Sequence, residues 1–205
     1  MRRYFIKLWL LLDPFYYRLT RLTYIGKYQK RHSNIFRVRL TKYKGRPVTL
    51  SDGTEIKKND VLIKIHLHNV RILNELDGVN NDIKKAFLIY ALVKDSMPGL
   101  ATYILTHKKS PQIKGIIGIT TLNKGIKRLG FESFSIYNRY YRMIKMLTFF
   151  PIYLLSLSKP SIKQFKLQPD PKYIIMSKNQ LITKYVKPPS KKQVKQKEKV
   201  GHSTV

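Results

Sequence analysis

The chain has 205 residues and contains no cysteine. This absence excludes disulfide bonds, thiolate zinc sites, iron–sulfur clusters and cysteine nucleophiles. Acidic residues are also scarce, with 11 Asp and Glu against 41 Lys and Arg, so the formal net charge is +30 at pH 7. Glycosidase chemistry normally requires a pair of carboxylates. Glu132 has few acidic residues in its half of the chain, so such a pair is hard to assemble.

Long hydrophobic runs are missing as well. The most apolar stretch, residues 146–157, is short and contains a proline, whereas a membrane-spanning helix needs about 18–20 apolar residues. The Arg2-Arg3 pair is not followed by the continuous apolar region and small-residue cleavage site of an export signal. We therefore expect no transmembrane span. We expect a cytoplasmic location, with peripheral association at the inner face of the membrane.

The positive charge is concentrated in particular segments of the chain. Residues 1–46 carry 13 basic and one acidic side chain, residues 47–101 carry seven of each, and residues 102–186 carry 15 and two. Such segregation predicts basic outer surfaces that bind an anionic partner, namely anionic lipid, an envelope polymer or nucleic acid. Residues 187–205 are rich in lysine and poor in apolar side chains. This composition predicts a disordered basic tail.

Two segments have the pattern of amphipathic helices, residues 1–25 and residues 138–157. Phe5 and Trp9 lie on the apolar side of the first, where they would insert shallowly into a membrane. The basic residues predicted to attract an anionic surface are Arg2, Arg3, Arg18, Arg21, Arg139, Arg142 and Lys145. Alternatively, both helices pack on a sheet and leave their basic sides in solvent.

The remaining periodicity predicts a single α+β domain over residues 1–186, because strands and helices mix without regular βαβ alternation. We expect a mixed or mainly antiparallel sheet of about five strands with flanking helices. Predicted strands cover residues 35–43, 48–50, 55–57, 61–67, 113–122 and 131–137. Predicted helices cover residues 82–96, 138–157 and 178–185, and a further short helix is capped by Asn123 and ends at Gly130. The first of these is interrupted at Pro98-Gly99, before a further turn or two to His107. Within 35–43, Arg37 and Arg39 alternate with apolar residues, which predicts an edge-like strand with a basic outer face.

The run His66-Leu67-His68-Asn69 is the densest group of chemically active side chains. On a strand, His66 and His68 would share one face, as two metal ligands or a general base would require. No third ligand has suitable spacing, so we expect neither a metal nor a cofactor. Structural hydrogen bonding is the alternative role for both histidines. The strand that includes Gly118 leads into a predicted helix N-terminus, a weak indication of an anion site.

Several of these runs also resemble the YkoP-like family. They are Phe36-Arg37-Val38-Arg39, Tyr43-Lys44-Gly45-Arg46, Leu50-Ser51-Asp52-Gly53-Thr54, Lys58-Asn59-Asp60, His66-Leu67-His68-Asn69, Ile116-Ile117-Gly118-Ile119-Thr120 and Arg128-Leu129-Gly130-Phe131-Glu132. The resemblance extends over residues 1–186. Similar domains are fused to polysaccharide deacetylase domains, which implies a connection with envelope glycans. The family's His-Leu-x-Asn motif is matched by His66, Leu67 and Asn69.

The resemblance implies no established reaction, and three functional hypotheses stay open. The first is an accessory protein of cell-envelope polysaccharide metabolism, held at an anionic membrane surface or polymer. The second is a nucleic-acid-binding protein, although no reading motif accompanies the basic residues. The third is an enzyme acting on a sugar or lipid-linked intermediate. The residues proposed for a polar-ligand or catalytic site are His66, Asn69, Thr120 and Glu132.

Overall fold

A computed structural model describes residues 22–25, 34–121, 125–156 and 168–186 of the chain. The strands in these ranges are β1 (Thr23–Tyr24), β2 (Phe36–Lys42), β3 (Val48–Thr49), β4 (Glu55–Ile56), β5 (Val61–Leu67), β6 (Ile113–Thr120), β7 (Glu132–Ser135) and β8 (Lys172–Ser177). The α-helices are α1 (Asn69–Glu75), α2 (Asp82–Thr106), α3 (Arg139–Ser156) and α4 (Lys178–Tyr185). A short 3₁₀ helix, Ser110–Gln112, precedes β6.

Six strands form one sheet in the order β1-β2-β5-β6-β8-β7, and β3 and β4 form a separate hairpin. Strands β5 and β6 run parallel, and the other neighbouring pairs in the sheet run antiparallel. The predicted α+β class with a mainly antiparallel sheet is therefore confirmed. The two-residue strand β1 lies within residues 1–25, so the helix predicted there does not extend to the end of that segment. Because β1 pairs with β2, β2 is an internal strand rather than an edge. Strand β8 was not predicted.

The main hydrophobic core lies on one face of the sheet, beneath α2 and α4. Alternate strand residues such as Val38, Ile63 and Ile116 point into it, and Leu100 and Leu181 from the two helices cover them. This alternation is the pattern that a sheet with one apolar face requires. We call this face the core face.

The opposite face of the sheet, which we call the second face, is only partly apolar. The β3–β4 hairpin covers one end of it, where Leu50 and Ile56 pack against Leu62, Ile117 and Ile175. The turn between β3 and β4 was predicted correctly. In that turn the Asp52 carboxylate accepts a hydrogen bond from the Thr54 amide at 3.0 Å, and Gly53 has a φ of 80°, in the left-handed region.

The predicted interruption of the second helix at Pro98-Gly99 is wrong, because α2 continues through Pro98 to Thr106. Proline removes one helical hydrogen bond, but buried Met97 and Leu100 on either side keep both halves of the helix packed on the core face. The short helix predicted before Gly130 is a turn in its described part, residues 125–130. Within the described ranges, none of the helices combines the length and hydropathy that a bilayer span requires.

Candidate anion-binding site

The antiparallel ladder between β2 and β5 places four basic side chains on one face of the sheet. Arg37 is the cross-strand partner of His66, and Arg39 is the partner of Lys64. Cross-strand partners project from the same side of a sheet. Because the intervening residues Val38, Ile63 and Ile65 are buried in the core, all four basic residues project from the second face.

Helix α3 contributes a fifth basic side chain to this region. The charge of Lys145 contributes to the lowered pKa of both Lys64 and His66, so this part of the helix lies near β5. Its Nζ is 5.3 Å from the ring centroid of Tyr141. Tyr141 in turn shares a hydrogen bond with Tyr173 of β8, so α3 is tied to the second face. We call Arg37, Arg39, Lys64, His66 and Lys145 the basic cluster.

The basic cluster is partly desolvated, and its members repel one another. Burial lowers the pKa of Lys64 to about 8, and the charges of Lys145 and Arg39 add to the shift. Burial also lowers the pKa of His66 to about 3, with further contributions from Lys64, Arg39, Lys145 and Arg37. Among the described residues, every charged group that shifts these two pKa values is a cation. The site is therefore strongly electropositive.

Arg37 shows how deeply the cluster is set into the protein. Arg37 is only 2% exposed, so the basic face predicted for this strand is covered at this residue, whereas Arg39 is half-buried and Lys42 is exposed. The guanidinium carbon of Arg37 lies 4.9 Å from the ring centroid of Tyr24 on β1, a cation–π contact. The Tyr24 ring also meets the His68 ring edge-on, with centroids 5.8 Å apart. His68 thus takes part in aromatic packing beside the cluster.

Two of the predicted site residues lie apart from His66. Thr120 projects from the opposite face of the sheet, because it alternates with Ile119 at the end of β6 and follows the parity of buried Ile116. Glu132 is on the second face, but β6 and β8 lie between its strand and β5. At about 4.8 Å per strand, the separation across the sheet is about 14 Å.

Glu132 has a structural role where it lies. One carboxylate oxygen accepts hydrogen bonds from the Ser51 amide and the Ser51 hydroxyl, both at 2.8 Å, and so joins β7 to the start of the hairpin turn. Asn69 begins α1, two residues after β5 ends. Among the predicted site residues, His66 therefore stays near Asn69, which follows it closely in sequence. Its neighbours across the sheet are basic residues of β2, β5 and α3, and not Thr120 or Glu132.

The weak indication of an anion site around Gly118 has a packing explanation. A Cβ atom at Gly118 would lie 3.0 Å from Ile174 Cγ1 and 3.1 Å from Ile65 Cγ1. Glycine therefore permits close packing of β6 between its neighbours. Across the described part of the chain, no three His, Asp or Glu side chains are grouped so as to hold a metal ion.

The three basic residues of α3 that were predicted to attract an anionic surface differ in their exposure. Arg139 is exposed, whereas Lys145 is half-buried against the sheet. Arg142 approaches the Asp170 carboxylate at 4.0 Å. The predicted surface residues Arg2, Arg3, Arg18 and Arg21, the predicted inserting residues Phe5 and Trp9, and the predicted basic tail 187–205 lie outside the described residues.

An aromatic cleft of about 350 Å³ lies on the second face of the sheet. It is lined by residues that include Tyr43, Arg46, Phe134, Tyr137 and Tyr173. The guanidinium of Arg46 lies 4.3 Å from the centroid of the Tyr137 ring at the mouth. Tyr173 lines the cleft and also bonds to Tyr141, which contacts Lys145, so this tyrosine pair connects the cleft to the basic cluster.

Sequence reasoning missed Arg37, Arg39 and Lys64 as site residues. The signal was present in the alternation of basic and apolar residues on two strands that were each predicted correctly. This alternation predicts a shared basic site only if the two strands are assumed to pair in the observed register. A one-residue shift would place the same cations in the hydrophobic core.

Comparison with known proteins agrees with the resemblance seen in the motifs. The YkoP domain family matches residues 2–185. The chain belongs to the YkoP domain family. It is 46% identical over 187 residues to "Uncharacterized protein YkoP" of Bacillus subtilis (strain 168), covering 91% of this chain and 99% of that protein. No solved structure matches the chain significantly.

Proposed function

We propose that the chain is an accessory protein of cell-envelope polysaccharide metabolism that binds a phosphate-bearing anion at the basic cluster. The phosphate belongs to an anionic envelope polymer or to a lipid headgroup. The observation that supports this proposal is that Arg39 directly faces Lys64 on the partly covered second face, where the charge of Lys145 acts on both. A fold gains nothing from placing like charges opposite each other, and an anion between them would reverse the repulsion.

Phosphate suits this set of donors better than a neutral ligand does. The guanidinium of half-buried Arg39 provides planar, paired donors, and the ammonium groups of Lys64 and Lys145 provide point charges. Their partial burial strengthens each interaction, because the local dielectric constant is lower than that of water. The half-buried His66 adds a ring nitrogen, Nε2, that has no hydrogen-bond partner among the described residues.

The aromatic cleft supports a ligand that also carries sugar. Ligand clefts are lined mainly by apolar and aromatic groups with a few polar groups that fix orientation, and Tyr137 and Tyr173 offer ring faces of this kind. A chain of phosphate and sugar units could place phosphate on the cluster and sugar in the cleft. The fusion of similar domains to polysaccharide deacetylases agrees with such a ligand.

The same electrostatics favour binding over catalysis by His66. A pKa of about 3 makes the imidazole a weak proton acceptor at neutral pH. We therefore assign His66 to the wall of the binding site. Nucleic acid also carries phosphate, and it is distinguished from an envelope polymer by the experiment below.

Binding is tested by calorimetry with a soluble poly(glycerol phosphate), with single-stranded oligothymidylate and with a neutral glucan. Lys64→Met removes a cluster cation, and Lys94→Met removes an exposed cation from α2 on the core-face side. We expect Lys64→Met to weaken poly(glycerol phosphate) binding about tenfold, which is about 1.4 kcal/mol. Lys94→Met should leave binding unchanged. Equal losses in both variants would contradict a localised site, and tighter binding of oligothymidylate would favour nucleic acid.

A further inference from the structure

Helix α3 exposes the side that an amphipathic helix normally buries. Its outward residues are Tyr140, Met143, Ile144 and Leu147, with exposures of 78%, 55%, 52% and 55%. Their spacing of three and four places them in one row along the helix. We call these four residues the apolar stripe.

The opposite side of the helix explains this orientation. Tyr141, Lys145 and Phe149 follow each other at four-residue intervals, and each is half-buried. The Lys145 ammonium lies 6.0 Å from the Phe149 ring centroid, and Tyr141 bonds to Tyr173 on the sheet. Because the Tyr141–Tyr173 hydrogen bond and the partial burial of all three residues place this side against the second face, the apolar stripe points outward.

We infer that the apolar stripe inserts shallowly into an anionic lipid bilayer. The inference rests on the envelope role proposed above, and it names the surface through which the protein meets lipid. Rows of this kind lie at the boundary between headgroups and acyl chains when cations flank them. Here exposed Arg139 begins the helix, and exposed Arg46 stacks on Tyr137 just before it.

The charge of the whole protein favours a bilayer over a second copy as the occupant. Each chain carries a formal net charge of +30, so two copies repel each other, whereas an anionic membrane attracts the same surface. Only two acidic residues occur in the segment 102–186 that contains α3. An apolar row among cations is complementary to an anionic bilayer, which has negative headgroups at its surface and apolar acyl chains beneath them.

The absence of cysteine permits a site-specific test with the full chain. Ile144→Cys places an environment-sensitive fluorophore on the apolar stripe. Asn179→Cys places it at an exposed position of α4, on the other side of the sheet. Each labelled protein is mixed with phosphatidylcholine vesicles, with or without phosphatidylglycerol. We expect a blue shift and a severalfold gain in emission only at position 144 and only with phosphatidylglycerol.

Other outcomes overturn the inference. Emission at position 144 that is already blue-shifted without vesicles, and does not change on their addition, would mean that the stripe is covered within the protein. A shift that follows protein concentration would indicate a second copy. Equal changes at both positions would indicate adsorption without orientation.

A charge on the stripe provides an independent measurement. Leu147→Glu lies on an exposed surface and leaves the core intact, so we expect about tenfold less co-sedimentation with phosphatidylglycerol vesicles. Asn179→Glu is the matched control for the added charge. Unchanged co-sedimentation of Leu147→Glu would overturn the inference. If poly(glycerol phosphate) still binds but the stripe does not insert, only the membrane inference is contradicted. If the stripe inserts but poly(glycerol phosphate) does not bind, only the proposed function is contradicted.

Discussion

Arg39 and Lys64 face each other directly across the antiparallel ladder between β2 and β5. Like charges at such positions destabilise a sheet, typically by a fraction of a kcal/mol when exposed. Here burial is the main cause that lowers the pKa of Lys64 to about 8, and the charges of Lys145 and Arg39 lower it further. Arginine stays charged at any physiological pH, so Lys64 is the member of the pair whose pKa changes. An anionic ligand would offset the part of this destabilisation that comes from repulsion among the cations.

The first prediction concerns stability. Lys64 has a folded pKa of about 8 against an ordinary 10.5, so the unfolded chain binds more protons between these values. The destabilisation is complete below about pH 8 and disappears as the pH rises through about 10.5. Lys64→Met should therefore be more stable than the parent by up to about 3 kcal/mol near pH 7. Urea unfolding at several pH values measures this difference, and a difference independent of pH would contradict the assignment.

A second prediction concerns the pH dependence of ligand binding. Lys64 is surrounded by Arg39, Lys145 and His66, and only its protonated form attracts phosphate. Affinity for poly(glycerol phosphate) should fall as the pH rises above about 8. Lys64→Arg keeps its charge, so the fall should be smaller in that variant when both are measured by calorimetry. An identical decline would show that another group controls the binding.

The third prediction separates Glu132 from the basic cluster. Glu132→Gln weakens the hydrogen bonds donated by the Ser51 amide and hydroxyl. We expect a loss of about 1 kcal/mol in the free energy of unfolding, since these bonds involve a charged acceptor near the surface. Poly(glycerol phosphate) affinity should stay within twofold of the parent value. A large loss of affinity at unchanged stability would indicate that Glu132 belongs to the binding site.

The fourth prediction tests the aromatic cleft. Tyr137 is 65% exposed and stacks with Arg46, so its removal should leave the fold intact. Tyr137→Ala should weaken binding of a glycosylated poly(glycerol phosphate) severalfold and leave the unsubstituted polymer unaffected, because a ring face binds sugar and not phosphate. Tyr140→Ala removes a comparably exposed tyrosine from α3 as a control. Equal effects on both polymers would contradict a sugar-binding role.

The elements predicted best are those with strong local signals. Strand β5 was predicted at residues 61–67, as observed. Helix α4 was predicted with its cap, and the Ser177 hydroxyl accepts a hydrogen bond from the Gln180 amide at 2.9 Å. Strand β8 was missed because it lacks alternation. Ile174 packs on the core face and Ile175 on the second face, so both faces of this internal strand are apolar.

The sequence by itself determined the positive charge, the alternating strands, the turn at Gly53, the cap at Ser177 and membership in the family, because each depends on composition or on residues close together in the chain. Only the tertiary structure decided that Arg39 meets Lys64, that Thr120 faces away from His66 and that α3 exposes its apolar row. These outcomes depend on strand register and helix docking. Both are determined by contacts between residues far apart in the chain, which local periodicity does not encode.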